Sequence, residues 1–97
     1  MFGRDRSSAV AIEPWAKRLA FPSSESTFDL VRRASLRSGD AVLVDAGGTV
    51  PVDGQVLEIA GGLEARGGPA VGATVFEGAA ASGGWIVIEV ARDRDPR

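Results

Sequence analysis

Acidic residues beside glycine are the first places in this sequence where chemistry could reside. Gly39-Asp40 and Pro51-Val52-Asp53-Gly54 each set a carboxylate next to a residue without a side chain. Glu64 stands in the glycine-dense stretch Gly61-Gly62-Leu63-Glu64-Ala65-Arg66-Gly67-Gly68-Pro69. Paired carboxylates can carry general acid–base catalysis or hold a divalent cation. Aspartates in glycine-flanked turns more often accept backbone N–H bonds and hold the turn, and Pro51 stiffens its approach by fixing φ. Gly39, Asp40, Pro51, Asp53 and Gly54 are therefore expected to be structural corner residues. Glu64 is the remaining candidate acid: it could act on a phosphoryl group of a partner, with Arg66 steadying charge. The competing reading is a solvated Glu/Arg pair on a surface loop. Gly67-Gly68-Pro69 could form an anion nest, yet its spacing is neither a P-loop nor a dinucleotide fingerprint, and no helix is expected after it.

The missing residue types narrow the chemistry further. With no cysteine and no histidine, the chain has no Cys nucleophile, no Cys/His zinc site, no histidine-based triad and no disulfide. No metal and no cofactor are expected. A lipoyl or biotinyl carrier would have to use Lys17, the single lysine, which is not in a turn sequence. Arg32-Arg33-Ala34-Ser35-Leu36 has the form of a basic-directed phosphorylation site, in which a phosphate on Ser35 would meet two arginines. Leu36 is expected to point into the core, which works against that role.

The formal charge of −2 conceals an asymmetry: residues 1–37 carry seven basic and four acidic residues (+3), and residues 38–97 carry four and nine (−5). The basic part is too mixed with acids, and six aromatics are too few, for a nucleic-acid surface. The longest uncharged run, Gly78 to Ile88, contains three glycines and a serine and falls short of the ~18 apolar residues that a membrane span needs. Met1-Phe2-Gly3-Arg4-Asp5-Arg6 lacks the apolar block of a signal peptide, so a soluble cytoplasmic chain is expected.

The elements that must position these residues are mainly strands. Ile12, Trp15 and Leu19 fall on one face of a helix, with Lys17 and Arg18 turned away, which predicts a short helix starting near Glu13 or Pro14. Its face could dock on a partner or a membrane surface or, more simply, on its own domain. Pro22 ends it, and Ser23 to Ser26 reads as a polar linker. Strands are predicted at Thr27–Arg32, Ala41–Ala46, Gln55–Ala60 (Leu57 and Ile59 alternating against Val56 and Glu58), Thr74–Gly78 and Trp85–Val90, with turns between them. This gives residues 1–26 as an N-terminal segment with helix and linker, 27–91 as one small closed or sandwich-like β domain, and 92–97 as a charged tail. Glycine-rich β edges leave a homodimer open.

One run is more specific. Leu36-Arg37-Ser38-Gly39-Asp40 followed by the apolar Ala41–Ala46, then Pro51-Val52-Asp53-Gly54-Gln55-Val56, resembles the opening of the actuator domain of P-type cation-transporting ATPases. Gly72-Ala73-Thr74-Val75-Phe76-Glu77-Gly78 and Trp85–Val90 resemble its closing strands, and the likeness is nearest to the B subunit of the potassium-transporting Kdp pump. The resemblance covers about residues 28–90. It implies a small distorted jelly-roll, or double-stranded β-helix-like, fold. It also implies a Thr-Gly-Glu-Ser loop whose glutamate positions the water that hydrolyses an aspartyl phosphate on a neighbouring domain. Between Leu57 and Val75, where that loop belongs, the sequence has no Thr-Gly-Glu-Ser and is shorter by several residues. Arg66, Gly67, Gly68 and Pro69 stand as its remnant, and no catalytic residue carries over. The expectation is a non-enzymatic module that binds a P-type ATPase phosphorylation domain, Kdp-type subunits or a second copy of itself. The alternatives are a shortened loop assisting hydrolysis through Glu64, or a small β adaptor unrelated to pumps.

Overall fold

The structure, a computed structural model, describes residues 14–63, 65 and 67–91. Six strands carry the fold: β1 (Trp15–Leu19), β2 (Phe28–Arg32), β3 (Ala41–Val44), β4 (Gly54–Ile59), β5 (Thr74–Val75) and β6 (Ile86–Val90). They form one antiparallel sheet in the order β2-β1-β3-β6-β4-β5, so the last strand in the chain lies between β3 and β4. β-Branched residues fill β6 and the centre of the sheet, as a strand buried on both faces requires. Among the described residues no α-helix occurs, and a 3-10 turn at Arg33–Ser35 follows β2.

The strand centres expected from the sequence are found in β2 to β6, with β4 shifted by one residue and the other four shortened. The predicted N-terminal helix is not: Trp15–Leu19 is a strand, paired to β2 on one side and β3 on the other. Ile12 and Glu13 lie outside the described residues. An i, i+4 pair such as Trp15 and Leu19 shares a face in a strand as well as in a helix. A segment of five residues is too short to hold a helix by itself, and two flanking strands supply a full set of ladder bonds. Lys17 therefore shares a face with Trp15 and Leu19 instead of turning away. Residues assigned to the N-terminal segment thus belong to the sheet.

The main core lies on one face of the sheet. Leu36, Val42, Val44, Val56, Ile86, Ile88 and Val90 pack there with Val50, Val52, Leu63 and Ala81 from the connecting segments. Those segments meet at an isolated bridge, Thr49 to Ala80, and cover that face in place of a second set of named strands. A smaller cluster of Leu19, Ala41 and Val87, flanked by Leu43, Leu57 and Trp85, occupies the opposite face. The simple alternation expected along β4 is broken by a register shift between Val56 and Glu58. Val56 and Ile59 both serve the main core as a result, and Leu57 is left to the smaller cluster.

Candidate functional site

The corner residues are built into the ends of β6 and β4. In the Gly39-Asp40 corner, Asp40 Oδ2 accepts the Arg37 N–H at 2.8 Å. The Gly39 N–H donates to the Val90 carbonyl at 2.9 Å, and the Val90 N–H donates to the Asp40 carbonyl at 2.8 Å. In the second corner, Asp53 Oδ1 accepts the Glu77 N–H at 2.8 Å. The Ala91 N–H donates to the Asp53 carbonyl at 3.0 Å. Both carboxylates thus accept backbone amides at turns. Gly54 is where β4 runs closest to β6: a Cβ there would sit 2.6 Å from the Glu89 carbonyl oxygen. Only glycine fits without backbone displacement.

Three side chains that the sequence reading gave no part in these corners tie the connecting segments to the rest of the sheet. The Arg33 guanidinium donates to the Pro51 carbonyl at 3.2 Å and pairs with the Glu77 carboxylate at 2.8 Å. Glu58 accepts from both the backbone N–H (2.8 Å) and the hydroxyl (3.1 Å) of Ser24. These partners are separated by 18, 44 and 34 positions in the chain, and no local pattern connects them.

The loop that could carry a phosphate-directed acid is short and drawn inward. The Leu63 N–H donates to the Ala60 carbonyl at 3.1 Å, and the Gly68 N–H returns to the Leu63 carbonyl at 2.9 Å. Leu63 is 1% exposed and belongs to the main core. Gly68 lies against it so closely that a Cβ would meet the Leu63 side chain at 2.4 Å. Pro69 and Gly67 line, with Leu63, Val75 and Ile86, a cleft of about 220 Å³ that is largely apolar. Glu64 and Arg66 lie outside the described residues. Asp40 and Asp53 each serve their own corner, accepting the Arg37 and Glu77 amides respectively.

Other candidates find ordinary surroundings. Lys17 lies in β1, pairs with Asp45, and has its ammonium 5.0 Å from the centre of the Phe28 ring. It is not on the exposed turn that a carrier lysine needs. Ser35 is exposed and its hydroxyl donates to the Arg32 carbonyl at 2.7 Å. Leu36, directly after it, is 0% exposed, so the folded domain cannot offer Arg32 to Leu36 as the extended segment a kinase reads. Among the described residues no group of three or more acidic, histidine or cysteine side chains could hold a metal ion. No described helix is long and apolar enough to cross a membrane.

Parts of known proteins resemble this chain in sequence and in fold. The potassium-transporting ATPase ATP-binding subunit of Serratia proteamaculans (strain 568) is 46% identical over 61 residues, 58% of this chain. The subunit of the same description from Yersinia pestis (strain Pestoides F) is 41% identical over 61 residues. Among solved structures, a zinc-transporting PIB-type ATPase in its phosphate-bound state aligns with a TM-score of 0.66 and 28% identity over 84% of this chain. A zinc-transporting pump of the same type, solved in a second state, gives 0.64 and 30% over 86%. The chain is similar to one segment of the P-type ATPases. It spans 9% of the length of those potassium-pump subunits and 14% of the zinc-pump chains. No family model matches it. The sequence resemblance to P-type ATPases, nearest to the potassium-transporting subunit, is thus met by both sequence and fold.

Proposed function

We propose that this chain is an actuator-like module of the P-type ATPase kind that binds a pump component and does not itself promote phosphate hydrolysis. The observation that carries the reading is the loop between β4 and β5. It is contracted, tied back by the Gly68-to-Leu63 hydrogen bond, and anchored by a core leucine where the resembled family carries Thr-Gly-Glu-Ser. A water-positioning carboxylate has to extend from the domain to reach a phosphoryl group on a neighbour. A loop held onto its own core by its longest apolar side chain is poorly suited to that reach. The corners that fix the strand order are retained, so the module keeps a surface that a pump phosphorylation domain, or a Kdp-type subunit, could recognise from the cytoplasmic side.

Two measurements test this. The purified chain is expected to retain a P-type ATPase phosphorylation domain in a pull-down. Added to a pump held as its aspartyl phosphate, it is expected to leave the rate of dephosphorylation unchanged. Failure to retain any phosphorylation domain or Kdp-type subunit would remove the binding reading. Accelerated dephosphorylation that Glu64→Ala abolishes would replace it with the hydrolytic one.

A further inference from the structure

Among the described residues, strand β2 lies at one end of the sheet and is paired on one side only, to β1. The phase of that pairing is set at both ends. The Arg33 N–H donates to the Pro14 carbonyl at 2.7 Å, and the Ala20 N–H donates to the Thr27 carbonyl at 3.0 Å. In an antiparallel ladder the residues that exchange hydrogen bonds alternate with those that do not. The odd-numbered residues of 27–33 therefore turn their amides and carbonyls toward β1, and Phe28, Leu30 and Arg32 turn theirs to the open side. Several protections of an edge strand are missing: β2, although short and carrying Asp29 and Arg32, contains no proline, glycine or lysine, and its register to β1 has no bulge. On the side-chain level, Leu30 is 62% and Phe28 45% exposed, on the same face as the half-exposed Trp15. The Arg32 guanidinium lies 5.0 Å from the centre of the Trp15 ring.

We propose that two copies of this chain join through β2 as an antiparallel pair about a two-fold axis at Leu30. A two-fold axis perpendicular to the sheet sets residues of like parity opposite one another, and this leaves few registers. With Leu30 opposite itself, Phe28 faces Arg32 of the second copy, and all three outward-facing residues of each strand exchange hydrogen bonds. Moving the axis to Asp29 or to Val31 leaves one outward residue of each strand unmatched, and the Asp29 axis also opposes two carboxylates. The Leu30 register instead sets Asp29 opposite Val31 of the second copy, so no like charges face each other. It also places each Arg32 between its own Trp15 and Phe28 of the second copy, extending a cation–aromatic row across the junction. The partner is a second copy because the strand matches itself in hydrogen-bond phase and apolar contact while opposing no like charges. The inference stands apart from the proposed pump binding, which uses no feature of β2.

The full chain, followed by light scattering or sedimentation from micromolar to submillimolar concentration, is expected to shift from monomer to dimer. The chain has no cysteine, so single-cysteine variants report the register directly. Oxidised Leu30→Cys is expected to crosslink to itself, because residues opposite one another have Cα atoms ~5.5 Å apart. Phe28→Cys is expected not to, since its copies lie about 13 Å apart along the strands. Leu30→Lys and Leu30→Glu each place like charges at the axis and are expected to weaken dimerisation at least about tenfold. Mixed together, the two variants are expected to form a one-to-one heterodimer. The exposed position of Leu30 keeps the fold intact, which circular dichroism checks. A chain that stays monomeric throughout, a dimer indifferent to Leu30→Lys, or equal crosslinking at positions 28 and 30 would overturn the proposal. A monomer that instead takes up an unrelated strand at β2 would overturn it too.

Discussion

At Gly54 the Pro-x-Asp-Gly corner meets the central strand, and the missing side chain there matters as much as the carboxylate before it. Asp53 holds the Glu77 amide, while Gly54 lets β4 approach the Glu89 carbonyl within a distance no Cβ tolerates. Gly54→Ala is accordingly expected to destabilise the domain by about 1–3 kcal/mol through forced displacement of β4 from β6. Urea denaturation checks this, and an unchanged midpoint would show that β4 can move at no cost. The turn role of Asp40 and Asp53 was legible from the neighbouring residues alone, because an aspartate beside glycine in a turn has backbone amides within reach. The partners of those corners were not. Arg33 and Glu77 look like ordinary surface charges until the fold sets them beside Pro51.

Among the elements, the strands from β2 onward could be placed from β-branched runs bounded by glycine and proline, whereas β1 could not. Trp15 and Leu19 are four apart, and that spacing satisfies a strand and a helix equally. The tie is broken by β2 and β3, which lie on either side and are absent from any local window. The bulge at Leu57 escaped for a similar reason, since only pairing with β6 shows that one residue of β4 is skipped. The 20–27 connection has an anchor of the same non-local kind in the Ser24–Glu58 pair. Glu58→Ala is expected to speed hydrogen exchange of the Ser24 amide well above its wild-type rate while the β3 and β6 amides keep theirs. Uniform acceleration across the sheet would mean that Glu58 supports the whole fold and not one loop.

For the molecule as a whole, chain order and spatial order disagree in a way that sets how it folds. β6 follows all the other described strands in the chain, yet it must enter between β3 and β4, pairing Ala41 with Glu89 and Gly54 with Val90. The loop-closure entropy of such distant pairings is lost before their contacts form. Refolding is therefore expected in the millisecond-to-second range, as one cooperative step, by stopped-flow tryptophan fluorescence; a sub-millisecond main phase would contradict this. The sequence by itself determined that the chain is mainly β, where its corners fall, and that no Thr-Gly-Glu-Ser stands between Leu57 and Val75, because turn chemistry and strand propensity act over a few neighbours. Tertiary structure alone decided that Trp15–Leu19 is a strand and that Leu63 closes the contracted loop onto the core. It also decided that, among the described residues, β2 is left with an unpaired edge. Each of those outcomes depends on which distant segment lies alongside, and the free energy of that packing outweighs any local preference of five residues.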